Sequence, residues 1–374
     1  MLSHRSAELV EWLVDAADVR LDIIKAYKHV AHSVPRLHAP ASRKGKDLVD
    51  DLVAAVERRN IPIALSNPVI DLMMGSEGEV VGATTRTAKK AVARIGARKT
   101  ILCVNGFGAS KQMVAQYCPE ISGAMYGGAP GSEGEAIRWG LQLNARLGNM
   151  ESYQGYATLI HPHGELLSWT TIEKGGVIVN SGGRRFGDEA VGYSGFAAPV
   201  LAQDGFTYAI FDQRIHDIAA MEPWFKEVLD YGGAKQAADV AELASKLSVD
   251  PKILESTLTD YARAASGQAT DPFGRTDFGI APLQSPFWYT RVVASLFSTQ
   301  GGLMVDEHAR VLDTQGKKIP NLYAAGGATA GISGRVGGVG YASGSGLLHA
   351  IGLGWIAGAD AALTVKGMAD AAGK

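Results

Sequence analysis

A chain of 374 residues, 46% hydrophobic and 20% charged, is long enough for two domains and has ample apolar material for a buried core. The 36 Lys and Arg against 38 Asp and Glu leave a formal net charge of -2, so bulk charge draws the chain to neither nucleic acid nor an anionic membrane. Two cysteines, with no CxxC and no metal-like His spacing, exclude a disulfide framework and a structural zinc site, and a reducing, cytoplasmic setting is expected.

Along the chain, Leu9, Leu13, Ala17 and Leu21 recur at helical spacing, which predicts a helix over residues 5–28 with this stripe in the core. His29, His32 and His38 follow around Pro35 and Arg36. Without a nearby carboxylate or Cys they read as loop histidines beside a cleft. Periodicity predicts a helix from Asp47 to Arg59, a strand from Ile61 to Ser66, and a strand pair, Val69 to Met73 with Val80 to Thr84, around Gly75 and Gly78. The basic run Arg86, Lys89, Lys90, Arg94, Arg98, Lys99 reads as a solvated hairpin, with a binding patch as the alternative. A strand from Thr100 to Val104 comes next, with Cys103 inside it and Cys118 in a polar loop beyond. A helix is predicted to begin at Glu133 and stop at Gly148, and a helix-rich run extends from Glu222 to Ser266.

The last quarter is the most informative. Leu303 to Val305 and Ala309 to Leu312 read as short strands, with Asp313 and Gly316 closing a hairpin. Leu322 to Ala325 is a strand running into glycine, and the spacing of Leu348, Ile351, Ile356 and Leu363 predicts a helix from Leu347. A strand, a glycine-rich turn and an unobstructed helix start present backbone N–H groups and the positive end of the helix dipole to an electron-rich group. No apolar run reaches the length of a membrane span, and the tail after Lys366 is expected to fray.

TQGGLMVD, NLYAAGG, GSGLL and GWIAGADAA, in this order, resemble the C-terminal end of flavoproteins of the fumarate reductase and succinate dehydrogenase superfamily. KTILCVNGFG takes the place of that family's ATGGF strand and turn, with Asn105 and Gly106 where Thr and Gly are usual. The resemblance implies a mixed α/β (α+β) fold: an incomplete Rossmann-like FAD-binding domain over 1–150 and 299–374, interrupted by a capping domain over 151–298 that closes on substrate. FAD is the implied cofactor, with its adenine end at Pro68 and Val69. Asn105, Gly106, Gly326, Gly327, Ser345, Gly346, Leu347 and Leu348 are the other implied cofactor contacts, with the helix start at Gly346 pointing at the flavin ring. No metal is expected. The family's GxGxxG turn is missing, and Gly327 replaces the acidic residue that usually follows LYAAG. The pyrophosphate-binding segment is therefore expected outside this chain, which makes it a fragment, one half of a split enzyme whose second polypeptide supplies that segment, or a chain that has lost flavin.

Fumarate reducers of the superfamily present His and Arg to a dicarboxylate. Here Tyr156 and Ser298 stand at the two substrate His positions, Tyr193 at the acid Arg and Tyr341 at the final Arg. The tyrosines resemble the 3-ketosteroid dehydrogenase branch instead. That branch implies that Tyr193 exchanges the proton on carbon while Tyr341, with the amide of Ser345 or Gly346, stabilises an enolate, and hydride passes to flavin N5. Tyr156 and Ser298 would line the pocket of an apolar or cyclic ketone. As a base, a phenol needs its pKa lowered by its surroundings. Two alternatives stay open: a truncated or split flavoprotein subunit without independent cofactor binding, and a dicarboxylate reductase using Arg335. Arg184 and Arg185 with Glu189 read as a structural ion pair, and Trp288 and Tyr289 as cleft lining.

Overall fold

The computed structural model describes residues 2–25 and 32–372. Its spine is the strand Phe287–Thr299, in which Val292, Ala294 and Leu296 are buried at period two. Glu151–Ile160 pairs antiparallel with it from Val292 to Thr299, while Thr207–Asp212 pairs antiparallel with Phe287 to Val292. Val177–Val179 extends the sheet beyond Thr207–Asp212, and Met125–Tyr126 joins in parallel at Ser295 and Leu296. A large aromatic core, including Phe107, Tyr153, Trp169, Phe196, Phe211 and Phe225, packs on this sheet. Burying a Phe or Leu side chain is worth about 1.5–3 kcal/mol, so this cluster dominates the stability of the region.

A second core holds Leu72, Val80, Leu102, Trp139, Leu303, Leu322 and Ala324. It lies among a parallel strand pair, Thr100–Leu102 with Lys318–Ala324, and the antiparallel sheet Val69–Met74, Val80–Arg86, Val92–Gly96. At Gly82 φ is +146°, and an added Cβ would run into the Ile95 carbonyl, so this crossing of strands needs glycine. The closing helix, Ser345–Ala372, buries Leu353, Ile356, Ala357 and Ala361 against Leu2, Tyr323 and Ala325.

Several sequence expectations change. The first helix covers only Ser6–Asp15. Asp18 takes φ +58°, which ends helical backbone, yet Ala17 and Val19 still bury themselves against Leu13 and Leu48. The apolar stripe therefore marks the core without continuing the helix. The chain then enters Asp22–Ile23, paired with His38–Ala39. Residues 26–31, with His29, lie outside the described residues.

Ile61 to Ser66 forms no strand among the described residues. Ile61 and Ile63 are 52% exposed and Leu65 80%, because nothing covers the apolar side of this stretch. The helix expected from Glu133 to Gly148 is Glu135–Gln142. Asn144 at φ +55° breaks it, and Leu147–Gly148 pairs with Gly302–Leu303 instead. Cys103 falls past the end of its strand and is exposed, whereas Cys118 is buried with its thiol donating to the Met150 carbonyl.

Trp288 and Tyr289 lie far from the cleft. They sit eight or nine residues before Phe297 on one strand, about 25–30 Å away at 3.3 Å per residue. Trp288 instead stacks on His216. Contrary to expectation, Ser345–Gly367 is long and apolar enough to cross a membrane by length and composition, with mean hydropathy 1.3. Here its inner face is part of the core described above, and Leu363, assigned to that face from spacing, is 71% exposed.

Candidate active site

Four segments bring a set of rings together. Tyr156 comes from Glu151–Ile160, Phe297 from the spine strand, Tyr193 from the short helix Gly192–Gly195, and Tyr341 from the turn before the closing helix. Tyr156 stacks on Phe297 at 5.5 Å and packs on Tyr193 at 5.1 Å, and Tyr193 meets Tyr341 edge-on at 6.0 Å. Two local devices place Tyr193. Asp188 caps the preceding turn by accepting from the Ala190 N–H (2.8 Å), and the Gly155 N–H donates to Ser194 Oγ (3.0 Å), fastening the short helix to the strand that carries Tyr156.

The turn after Tyr341 supplies the polar groups. The Tyr341 hydroxyl lies beside the Ser345 side chain and the Gly346 backbone, at the start of the closing helix, where their donors favour its charged form. The Tyr193 hydroxyl lies near the Ser343 side chain, which acts to lower its pKa. Ser333 Oγ donates to Ser345 Oγ (2.6 Å), and His32 Nε2 lies 3.0 Å from the Ser343 carbonyl, to which it donates. Gly344, at φ +82°, turns the chain where Leu37 packs against it.

Burial raises Tyr193, helped by the neighbouring Tyr341 and opposed by the Ser343 side chain. Tyr341 is raised by burial against the pull of Ser345 and Gly346, and Tyr156 by burial first and then by Tyr193. None of the three phenols is, on balance, lowered by the protein groups around it. These are hydroxyls that keep their protons, suited to donate rather than to accept.

Other expected residues fall into distinct places. Tyr156 donates its hydroxyl to the Leu167 carbonyl (2.8 Å), so only its ring faces the cluster, and Ser298 Oγ donates to Gln154 Oε1 (3.1 Å). Asn105, at φ +63°, accepts from the Gly106 N–H (2.9 Å) and donates to Ser132 Oγ (2.8 Å). Gly327 abuts Asn105, Gly106 abuts Thr299, and Gly326 lies against Ala350 of the closing helix. At Gly106 and Gly327 an added Cβ would collide with Thr299 Oγ1 and Asn105 Oδ1, so these two positions need glycine. Pro68 and Val69 belong to the separate three-stranded sheet, where the Pro68 carbonyl accepts from the Arg86 N–H. Arg335 is exposed, and Arg185 is locked in a buried ion-pair group. Among the described residues no group of three or more His, Cys, Asp or Glu suits a metal.

Ser343 and Phe297 escaped the sequence reading as site residues, whereas His32, read as a loop histidine beside a cleft, lies against the turn before the closing helix. Only Phe297 left a signal, since it belongs to the same alternating strand as Ser298 and Thr299. His349 was also missed. Thr329 Oγ1 donates to the Gly326 carbonyl (2.7 Å) and accepts from His349 Nε2 (3.1 Å), tying helix to glycine turn. Burial pulls His349 down to about 4, against a smaller opposing pull from the Ala330 backbone. With the folded-state value below the unfolded one, near 6.5, the unfolded chain binds the extra proton. Stability should then fall as pH drops from about 6.5 to about 4, by about 3 kcal/mol, and level off below. Urea midpoints across this window should show the slope, and His349→Gln should flatten it.

A parallel strand ending in a glycine turn, a helix start beyond it and an aromatic cluster over that start match the flavoprotein pattern that the resemblance implied. The FAD binding domain family matches residues 1–347, so the chain belongs to that family, and FAD is its cofactor. A probable fumarate reductase of Shewanella frigidimarina is 30% identical over 346 residues, covering 90% of this chain and 57% of that protein. The open conformation of a flavocytochrome c3 fumarate reductase superposes with TM-score 0.75 at 28% identity, over 96% of this chain and 63% of the other. A 3-ketosteroid-Δ4-(5α)-dehydrogenase from Rhodococcus jostii shares the fold, with TM-score 0.71, 23% identity and coverage of 96% and 79%. The chain spans about half the length of the curated relatives it matches.

The residues present fit the ring end of FAD. A 28-residue helix aims its positive end at the turn, the turn carries no obstructing side chain, and Ile332, Val339 and Leu347 leave apolar surface at least half exposed around it. Asn105, Gly106, Gly326, Gly327 and Ser345 to Leu348 are the residues that would hold it.

Proposed function

We propose that this chain is the cap and ring-binding part of an FAD-dependent oxidoreductase acting on a C–C bond beside the carbonyl of an apolar or cyclic ketone. In this reading residues 151–298 form the cap, and 1–150 with 299–374 the cofactor domain. The observation that carries it is the convergence of the Tyr341 hydroxyl, the Ser345 hydroxyl and the Gly346 N–H at one helix start, with the Tyr193 ring 6.0 Å from that of Tyr341.

Donors gathered in this way suit an oxygen on which charge grows, each worth about 100- to 1,000-fold. Tyr193 then gives or takes the proton on carbon, and its raised pKa favours giving it, which is the reducing direction. FAD, when bound, supplies the hydride exchange. The rings of Tyr156, Phe297 and Trp169 exclude water from the proton transfer. A dicarboxylate substrate would want cations here, and the four positions expected to hold its ligands carry Tyr156, Tyr193, Ser298 and Tyr341.

A phosphate-binding segment, on the same polypeptide or on another, has two uncovered surfaces to dock on. Among the described residues Thr100–Leu102 is an edge strand, paired only with Lys318–Ala324. The exposed Ile61, Ile63 and Leu65 are a further uncovered surface. An absorbance titration of the purified chain with FAD tests the reading. Weak binding alone, made tight by adding a polypeptide with the GxGxxG segment, is expected, followed by turnover of 2-cyclohexenone with a reduced dye. Unaltered flavin absorbance in both cases would sink it.

A further inference from the structure

The basic run singled out in the sequence has no place in the site above, and its last two members do not stand alone. Arg98 and Lys99 lead into Thr100–Leu102, and Lys366 of the closing helix faces them across a groove of about 510 Å³ floored by Ala361, Ala362 and Val365. Lys318 opens the neighbouring parallel strand, close enough to act electrostatically on Lys99.

Among the described residues nothing neutralises this group. Among the described residues none of the four cations forms an ion pair. The Lys99 ammonium donates to the neutral Asn321 Oδ1 (2.8 Å). Asp360, the acid that attracts Lys99, is already committed: both its oxygens accept from Arg310 (2.6 and 2.8 Å) and one also from the Tyr323 hydroxyl (2.8 Å). Burial pushes Lys99 below its ordinary value, and repulsion from Arg310 and Lys318 adds to it against the pull of Asp360. Gathering uncompensated cations on a chain of net charge -2 costs free energy that an anionic ligand would return.

The place differs from the flavin turn. Asn105 and Gly106 follow the C-terminal end of Thr100–Leu102, whereas Arg98 and Lys99 precede its N-terminal end. We propose that Arg98, Lys99, Lys318 and Lys366 bind a phosphate ester whose apolar body lies along Ala361, Ala362 and Val365. The ester group is met by charge and by N–H donors, and the alanine strip takes a ring or acyl chain. A soluble phosphate ester and the head group of an anionic lipid share this chemistry.

Two probes tell the sources apart in the full chain: inorganic pyrophosphate followed by calorimetry, and sedimentation with phosphatidylcholine vesicles that do or do not contain phosphatidic acid. Binding to at least one is expected, weakening about tenfold or more as salt rises from about 0.05 to 0.5 M. Arg98→Glu and Lys366→Glu should each remove it, while Lys111→Glu, on an exposed helix start elsewhere, should not. All three positions are exposed, so circular dichroism and melting should stay unchanged. Pyrophosphate binding alone assigns a soluble ligand, and vesicle binding that depends on phosphatidic acid assigns a lipid. Binding of neither probe, or binding that both charge reversals leave intact, overturns the proposal.

Discussion

Tyr193→Phe should lower turnover of a cyclic enone by the FAD-loaded protein by about 100- to 10,000-fold while changing KM little. The ring contacts explain the asymmetry. Phe keeps the packing on Tyr156, Trp169 and Tyr341, so the pocket and its affinity survive, and only the hydroxyl is lost. Tyr341→Phe removes one of the three groups proposed to meet the substrate oxygen and should cost about 100- to 1,000-fold. Tyr156→Phe is the control within the cluster. Its hydroxyl is spent on the Leu167 carbonyl, so the change should cost about 1 kcal/mol of stability and leave the proton step alone. Because burial raises Tyr193, the acid form persists through neutral and mildly alkaline pH, and the rate of reduction should not fall there. Steady-state kinetics of the three variants decide the matter, and undiminished turnover in Tyr193→Phe would remove Tyr193 from the chemistry.

The parts of the site that were legible in the sequence depend on local backbone. A strand running into Gly326 and Gly327, and a helix following Gly344 and Gly346, can be read from composition because glycine and apolar periodicity constrain the neighbouring residues directly. That Tyr193 and Tyr341 belong together came from the resemblance, since nothing in their spacing links residues so far apart. Ser343 was illegible for the same reason, and His32 was legible only as a loop histidine beside a cleft, without its partner. Their partners are chosen by how the segment 32–39 lies over the turn 341–346, a tertiary choice with no period. Periodicity also reports an apolar face without saying what covers it. Ile61, Ile63 and Leu65 alternate as a strand should and remain uncovered, while on the closing helix the small Ala357 and Ala361 take the inner face and leave Leu363 outside.

Arg185→Ala should destabilise the chain by about 3–5 kcal/mol. Arg185 donates to both oxygens of Glu189 (2.9 and 2.6 Å) and to Asp271 (2.5 Å), and Arg275 donates to Glu189 (3.2 Å) and to the Ile172, Gly176 and Asp277 carbonyls. All four side chains are at most 5% exposed. Two cations and two anions balance. Removing Arg185 leaves two buried carboxylates sharing one guanidinium, whereas breaking the exposed Lys46–Asp50 pair should cost under about 1 kcal/mol. Burial alone would push Asp271 up, but Arg185 and the N–H groups of Arg275 and Phe273 bring it below its ordinary value. The stabilisation this depressed group contributes is present above the ordinary Asp value, about 4, and is lost as pH falls through the lower folded value. Arg185→Ala should therefore lower the urea midpoint at neutral pH and erase that acid limb. Arg185→Lys keeps the charge but not the fork of donors and should fall between. Glu189 also accepts from the Ile178 N–H (3.3 Å) and lies four residues before Tyr193, so this ion-pair group anchors the turn that delivers the proposed proton donor. Loosening it should reduce turnover as well as stability, and a variant that melts like the parent would mean that these charges are already satisfied without Arg185.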